Sequence, residues 1–236
     1  MDVGQEVDWV VPIWRPDKHR EENLRRQCRW IASQENISVN FIEMRDDSEE
    51  FNKQWLCNKV VRDSTAGWVF IADMDIVGEG QYIWPVVQWL KAKQLEWGFG
   101  WNRLIYRGKD GGTDRDDWPN PGVQEGGVVV FGRSLWEDMG GANEWIRELR
   151  GPDNDLALRA RYVSGEYSAF PCTLTHQWHP KSSMKKTKHL KNNQSILKYT
   201  NKFPWRVVKL LKMQDRGGER PYCDKSFFEA RTDANL

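Results

Sequence analysis

The sequence predicts an α/β fold: a mostly parallel central sheet flanked by helices, in one domain. Three observations carry this. Residues 7–72 alternate short apolar runs with longer amphipathic ones in the order β-α-β-α-β, the pattern of parallel strands joined by right-handed crossovers. The third run, Trp68-Val69-Phe70-Ile71-Ala72, follows Gly67, is apolar throughout and reads as a buried strand. That strand leads into Asp73-Met74-Asp75, two carboxylates at its carboxyl end, where open α/β sheets bind ligands.

Each element has its own justification. Residues 7–13 alternate loosely and form the first strand, ending at Trp14-Arg15-Pro16. Asp17 can cap the next helix, which carries Leu24, Cys28 and Ile31 on one face. Residues 37–44 alternate as a second strand and run into Arg45-Asp46-Asp47. Residues 51–62 read as a helix with Phe51, Leu56, Val60 and Val61 as core contacts. After the carboxylate pair, 82–95 reads as a helix and 97–106 as one strand. Residues 108–122 hold Gly, Pro and Asp throughout and read as a long polar loop, a class that is usually functional or disordered. A short apolar strand covers 127–131. Ser134 and Glu137 fit a capping box for a short helix that stops at Gly140-Gly141. A helix over 153–163 and a last strand over 167–175 complete the body, and His176-Gln177-Trp178-His179 follows. Residues 205–213 are amphipathic at helical spacing, which suits a helix lying on a membrane surface.

Composition narrows the class. At 236 residues the chain fits one substantial domain. Cys28, Cys57, Cys172 and Cys223 form no CxxC pair and read as reduced thiols. The acidic start is unlike a signal peptide and no run is long enough to span a bilayer, so the expectation is a cytoplasmic protein, in a host cytoplasm if viral. The 14 Trp are expected mainly in the core, with some free to stack on sugars or bases. Residues 176–216 contain eleven Lys/Arg and one acid, a charge of +10, so with +1 overall the remainder carries −9. A basic C-terminal segment on an acidic body points to an anionic partner through residues 181–216.

Several stretches in sequence order resemble the GT-A nucleotide-sugar glycosyltransferases, near the family-2-type group, with a galactosyltransferase-like C-terminal motif. Val11-Pro12-Ile13-Trp14-Arg15 with Glu22-Asn23-Leu24 resembles the opening strand and helix. Phe51-Asn52-Lys53 with Asn58 is similar to an FNKAxxxN helix, and Asp73-Met74-Asp75 to a DxD motif. Glu125-Gly126-Gly127 through Phe131 and Gly140-Gly141-Ala142-Asn143-Glu144 resemble a GG-strand-GGFDE stretch. Gly151-Pro152-Asp153-Asn154-Asp155-Leu156 with Arg159 resembles GGEDNDLxxR. Pro152 stands where the pattern has Glu, and Asn143 where it has Asp.

The resemblance implies a domain over 1–180, with 181–236 as a basic lid or helical extension packed on it. It implies a metal-dependent, inverting transfer of a sugar from a nucleotide-diphosphate donor, UDP-linked, to an acceptor hydroxyl. Asp75 would bind the metal, with Asp73 on metal or ribose and His176 or His179 adding an imidazole. Imidazole among oxygen ligands favours Mn²⁺ over Mg²⁺. Asp153 would be the general base, and a helix cap is its structural alternative. Pro12, Arg15, Asp46, Asp47, Lys53, Asp73 and Met74 would hold the nucleotide sugar. Trp118, Gly126, Gly127, Asp155, Lys181 and Lys185 would serve the acceptor side or a lid. The acceptor is left as a glycan, a lipid-linked sugar or a hydroxymethylated DNA base of the viral type. A non-catalytic sugar-binding relative is the remaining alternative.

Overall fold

The computed structural model describes residues 6–46, 51–117, 127–146, 152–165, 167–180 and 190–212. Strand β1 (Glu6–Ile13) is buried over 7–11 because it has a strand on each edge and helices over both faces. It pairs in parallel with β2 (Ser38–Arg45) and with β3 (Trp68–Ala72). The crossovers are α1 (Lys18–Ala32) and α2 (Lys53–Asp63). Asp17 caps α1, its Oδ1 accepting from the amides of His19 (2.9 Å) and Arg20 (3.0 Å). The inward face of α1 is Asn23, Leu24, Gln27, Trp30 and Ile31, and Cys28 is only half-buried.

Beyond β3 come β4 (Ile76–Val77), α3 (Ile83–Ala92), β5 (Trp97–Phe99), β6 (Arg103–Arg107) and β7 (Thr113–Asp117). Then follow β8 (Val128–Gly132), α4 (Arg133–Asp138), α5 (Pro152–Ser164), β9 (Ser168–Ala169) and β10 (Thr173–His176). Helices α6 (Leu190–Lys202) and α7 (Pro204–Lys212) close the series. The large sheet runs β2-β1-β3-β8-β5-β9, with β8 antiparallel to both neighbours. A small second sheet runs β4-β10-β6-β7. Alternate residues of the large sheet feed two apolar layers. Trp9, Phe70 and Val130 meet α1 and α3 on one face; Val10, Ile71 and Phe131 meet α2, α4 and α5 on the other.

Four expectations need correcting. Residues 97–106 are two strands in different sheets. The chain leaves the large sheet at Gly100, where a Cβ would strike the Tyr82 hydroxyl, and joins the small sheet at Arg103. Residues 167–175 break likewise, into β9 on the large sheet and β10 on the small one. The predicted polar loop contains β7, whose Thr-Asp-Arg-Asp-Asp sequence has no apolar face. Its partners are polar or aromatic: Arg103 Nε donates to Asp116 at 3.1 Å and the Arg115 guanidinium lies 3.9 Å from the Tyr106 ring centre. Ser134 does not cap α4. Gly132 holds the N-cap position, and Ser134 donates to Glu96 instead.

Helices α6 and α7 pack on α5, and α7 also on α4. Val207 and Leu211 of α7 are buried with Ile146 and Ile196, and Val208 and Leu210 are also buried. The apolar face expected on a membrane surface is thus covered by the body of the protein. No helix among the described residues is long and apolar enough to cross a membrane.

Candidate active site

The site begins where β3 runs out. The Ala72↔Val128 register of the β3–β8 pair sets Asp73 opposite Gly127. The Asp73 amide donates to the Gly127 carbonyl (2.9 Å), and the Gly127 amide returns a bond to Asp73 Oδ2 (3.1 Å). Gly127 has φ 88° and a Cβ there would lie 2.9 Å from Trp101 Nε1, so glycine is required on both counts. Buried Gln27 donates to the carbonyls of Asp73 (2.8 Å) and Ile76 (2.7 Å), which fixes the turn between the two carboxylates from below.

The small sheet supplies the rest. Strand β4 pairs antiparallel with β10 in the register Ile76↔His176, and the Gln177 amide donates to the Asp75 carbonyl (2.7 Å). This pairing brings a histidine a hundred residues away in sequence to the second carboxylate. His176 Nε2 lies 3.3 Å from Asp75 Oδ1, and His179 Nε2 lies 3.0 Å from Oδ2. Tyr106 stacks on His176 at 4.6 Å. The Trp178 carbonyl accepts from Asn23 (3.1 Å) and its ring meets His19 edge-on, so the turn after β10 is pinned to α1 and His179 folds back.

One ligand atom from each of Asp75, His176 and His179 lies within 4.8 Å of the other two. The donor set fits a divalent cation on independent grounds. Asp75 is 5% exposed, and its Oδ1 is buried without a hydrogen-bond donor among the described residues. His179 Nδ1 faces the Pro180 carbonyl at 2.8 Å and must donate to it, which leaves Nε2 as the free ring nitrogen aimed at Asp75. Without a cation, the bond to Asp75 holds a proton there and raises the His179 pKa above the usual imidazole range. An O,N,N set of this kind suits Mn²⁺ better than Mg²⁺.

Opposite lies a second charge cluster. Lys53, at the start of α2, is almost fully buried and its Nζ reaches Asp153 (3.0 Å) and Asp73 (3.3 Å). Burial alone would lower this ammonium, but the charges of Asp153 and Asp73 outweigh it and hold it well above the usual lysine range. The two carboxylates are driven apart. Burial pushes Asp153 up, with the Asp73 charge adding to it against Lys53. Burial also raises Asp73, but Lys53 and the Gly127 amide win and bring it down. Asp153 is therefore the better proton acceptor of the two. The Phe-Asn-Lys stretch that positions Lys53 is held by Asn52, which caps α2 and donates to the Glu144 carbonyl (2.9 Å). Asn58, one turn on, clamps both the amide and the carbonyl of Ala142.

Pro12, Trp14, Arg20, Phe51, Lys53, Asp73, Met74, Asp75, Pro152, Asp153 and His176 line one cleft of about 230 Å³. Trp14 and Phe51 stack at 6.0 Å and 24° along it.

The fold has solved counterparts. The catalytic domain of Drosophila β1,4-galactosyltransferase 7 in complex with xylobiose superimposes with a TM-score of 0.56 over 82% of this chain and 79% of that one, at 13% identity. A point mutant of the same Drosophila protein, in complex with manganese, UDP-Gal and xylobiose, matches at 0.55 over 80% and 79%, at 12% identity. The chain has the GT-A fold. No protein-family model matches it, and no curated protein sequence does.

Within this GT-A body the expected site residues divide. Pro12, Lys53, Asp73, Met74, Asp75, Asp153 and His176 share the cleft, and His179 reaches it through Asp75. Arg15 adopts φ 39° and lies over the Trp14 ring at 5.7 Å, beside the cleft rather than on its wall. Asp46 is buried and accepts from the Asn52 amide (3.4 Å), so it supports the start of α2. Asp155 is corrected outright. It is fully buried, with Oδ2 on Arg159 Nε (2.8 Å) and Oδ1 accepting from Thr200 (2.9 Å) and Asn143 (3.3 Å), so it cannot face an acceptor. Asn143 thus has a use as a neutral donor to this buried carboxylate. Asp47, Trp118, Gly126, Lys181 and Lys185 lie outside the described residues. Trp14, Arg20, Phe51, Gln27 and Tyr106 were not foreseen as site residues. The Pro12-Ile13-Trp14 run and the Phe51-Asn52-Lys53 run already flagged two of them, whereas Gln27 and Tyr106 have no sequence signal.

Proposed function

We propose that this protein is a metal-dependent glycosyltransferase that moves a sugar from a UDP-linked donor to an acceptor hydroxyl with inversion. The observation that carries the reading is the convergence of Asp75, His176 and His179 in the cleft that also holds Asp153. The bound manganese, UDP-Gal and xylobiose of the Drosophila neighbours support the donor, the cation and a glycan acceptor.

Asp75, His176 and His179 would hold the cation, which when bound supplies positive charge against the leaving diphosphate. Arg20 stands in the same wall and can pair with a phosphate oxygen. The stacked Trp14 and Phe51 offer a flat apolar ledge for the nucleobase. Asp73, fixed by the Gly127 amide, would contact the donor sugar or ribose. Asp153 takes the acceptor proton on a carboxylate oxygen, and Lys53 keeps that carboxylate ionised and aimed. Pro152 adds an apolar surface beside Asp153, where an acceptor ring can lie. Lys181, Lys185, Trp118 and Gly126, as acceptor-side or lid residues, and Asp47, as a donor-side contact, complete the proposal on sequence grounds alone.

Thermal unfolding with Mn²⁺ and UDP-galactose tests this. Donor at 100 times its Kd stabilises by about 2.7 kcal/mol, an upward shift of about 5–10 °C at this chain length. The shift is expected to need both Mn²⁺ and donor, and to vanish with turnover in Asp75→Ala. A shift or turnover that survives in Asp75→Ala would remove the metal reading. Absence of any turnover alongside normal donor binding would favour the non-catalytic relative.

A further inference from the structure

Helices α6 and α7 carry a charge pattern that the cleft does not use. Residues 190–212 hold Lys191, Lys198, Lys202, Arg206, Lys209 and Lys212, and no acid. Helical spacing sorts them. Lys191, Lys198 and Lys202 are exposed and fall at i, i+7 and i+11, one outward stripe about 16 Å long. Trp205, Lys209 and Lys212 are exposed and fall at i, i+4 and i+7, the outward stripe of α7. Among the described residues only Lys212 has an acidic partner, Asp138 at 3.3 Å. Trp205 is 44% exposed, one of two large apolar side chains in that state among the described residues. The Arg206 guanidinium lies over its ring at 4.9 Å and over Phe203 at 5.1 Å, and Lys202 also sits over Phe203.

We infer that the α6–α7 face is a docking surface for single-stranded nucleic acid. Two stripes of exposed cations, all but Lys212 without an acidic partner among the described residues, attract a phosphate chain, and an exposed indole backed by a guanidinium is a platform on which a base stacks. An anionic bilayer fits less well, because the apolar residues of α7 are turned into the body and leave Trp205 as its lone exposed apolar side chain. The buried side of α6 is fastened to α5. Thr200 of α6, between Lys198 and Lys202, donates to Asp155, two residues along α5 from Asp153. The surface itself needs neither donor nor cation, so its test stands apart from that of the transfer reaction.

The experiment is fluorescence anisotropy of a labelled mixed-sequence 20-mer, as DNA and as RNA, titrated with the full chain from 50 to 200 mM salt. Heparin and phosphatidylserine vesicles are parallel arms. Six phosphate contacts on a single strand give a log–log salt slope of about −4, a loss on the order of 300-fold across that range. The exposed triple variant Lys191→Ala/Lys198→Ala/Lys202→Ala is expected to flatten the slope by about 2. Trp205→Ala is expected to weaken binding on the order of tenfold at unchanged slope, for the oligonucleotide and not for heparin. An unchanged slope in the triple variant would overturn the proposal. So would an equal effect of Trp205→Ala on heparin, or vesicle binding that exceeds oligonucleotide binding.

Discussion

Replacing Lys53 by methionine keeps the length of the side chain and removes its charge, which leaves Asp73 and Asp153 facing each other without a cation. The structure sets the size of the effect. At an effective dielectric of about 20, charges 3.0 Å and 3.3 Å apart attract by about 5 kcal/mol each before desolvation is subtracted. Lys53 is 9% exposed and bears most of that desolvation, while Asp73 at 40% and Asp153 at 22% are partly screened by water. The net loss at neutral pH is therefore about 3 kcal/mol, the low end for breaking a buried pair, or about 6–12 °C in Tm at this length. The sign against pH follows. Asp153 already has a folded pKa above its unfolded value, so its ionised form opposes folding once the pH exceeds the unfolded value. Without Lys53 that opposition grows, and it is relieved when the pH falls and the carboxyl takes up a proton. The deficit of Lys53→Met should shrink between pH 8 and pH 5, and the acid limb of its pH–rate profile should move up by at least about one unit, since each unit corresponds to 1.36 kcal/mol. Melting curves from pH 5 to 8 and a kcat/KM profile decide it. A Tm deficit independent of pH, with an unmoved acid limb, would refute the role assigned to Lys53.

Mn²⁺ affinity should weaken as pH falls. The raised pKa of His179 means that a proton competes for Nε2 from higher pH than at a free imidazole, and calorimetry in buffers of different ionisation heat should show proton release on binding. Arg159→Met leaves Asp155 buried and unpaired and should cost about 3–5 kcal/mol, seen as a lower urea midpoint. Gly127→Ala forces φ 88° on an alanine and sets a Cβ 2.9 Å from Trp101, for a stability loss of about 1–3 kcal/mol. The same change should lower kcat/KM, because the Gly127 amide holds Asp73. Full activity in that variant would count against the alignment of Asp73 by Gly127.

By itself the sequence determined whatever rests on local chemistry. The buried strand β3, the cap at Asp17, the glycine pair after α4 and the first two crossovers follow from periodicity and from residues with one conformational use. The carboxylates at the end of β3 and the histidines at and after the end of β10 were also legible, because metal-ligating side chains in short spacings are rare enough to notice. Tertiary structure alone decided how they meet. The β4–β10 register that carries His176 to Asp75 spans a hundred residues, and no local pattern encodes a two-residue strand. The same holds for Lys53. The resemblance sets it on the nucleotide sugar, and only the convergence of β3, α2 and the start of α5 buries it between two carboxylates. Asp155 shows the reverse. Two carboxylates two apart at a helix start look equivalent in sequence, yet the helix turns one to the cleft and the other to Arg159 inside the core, where it can only be structural.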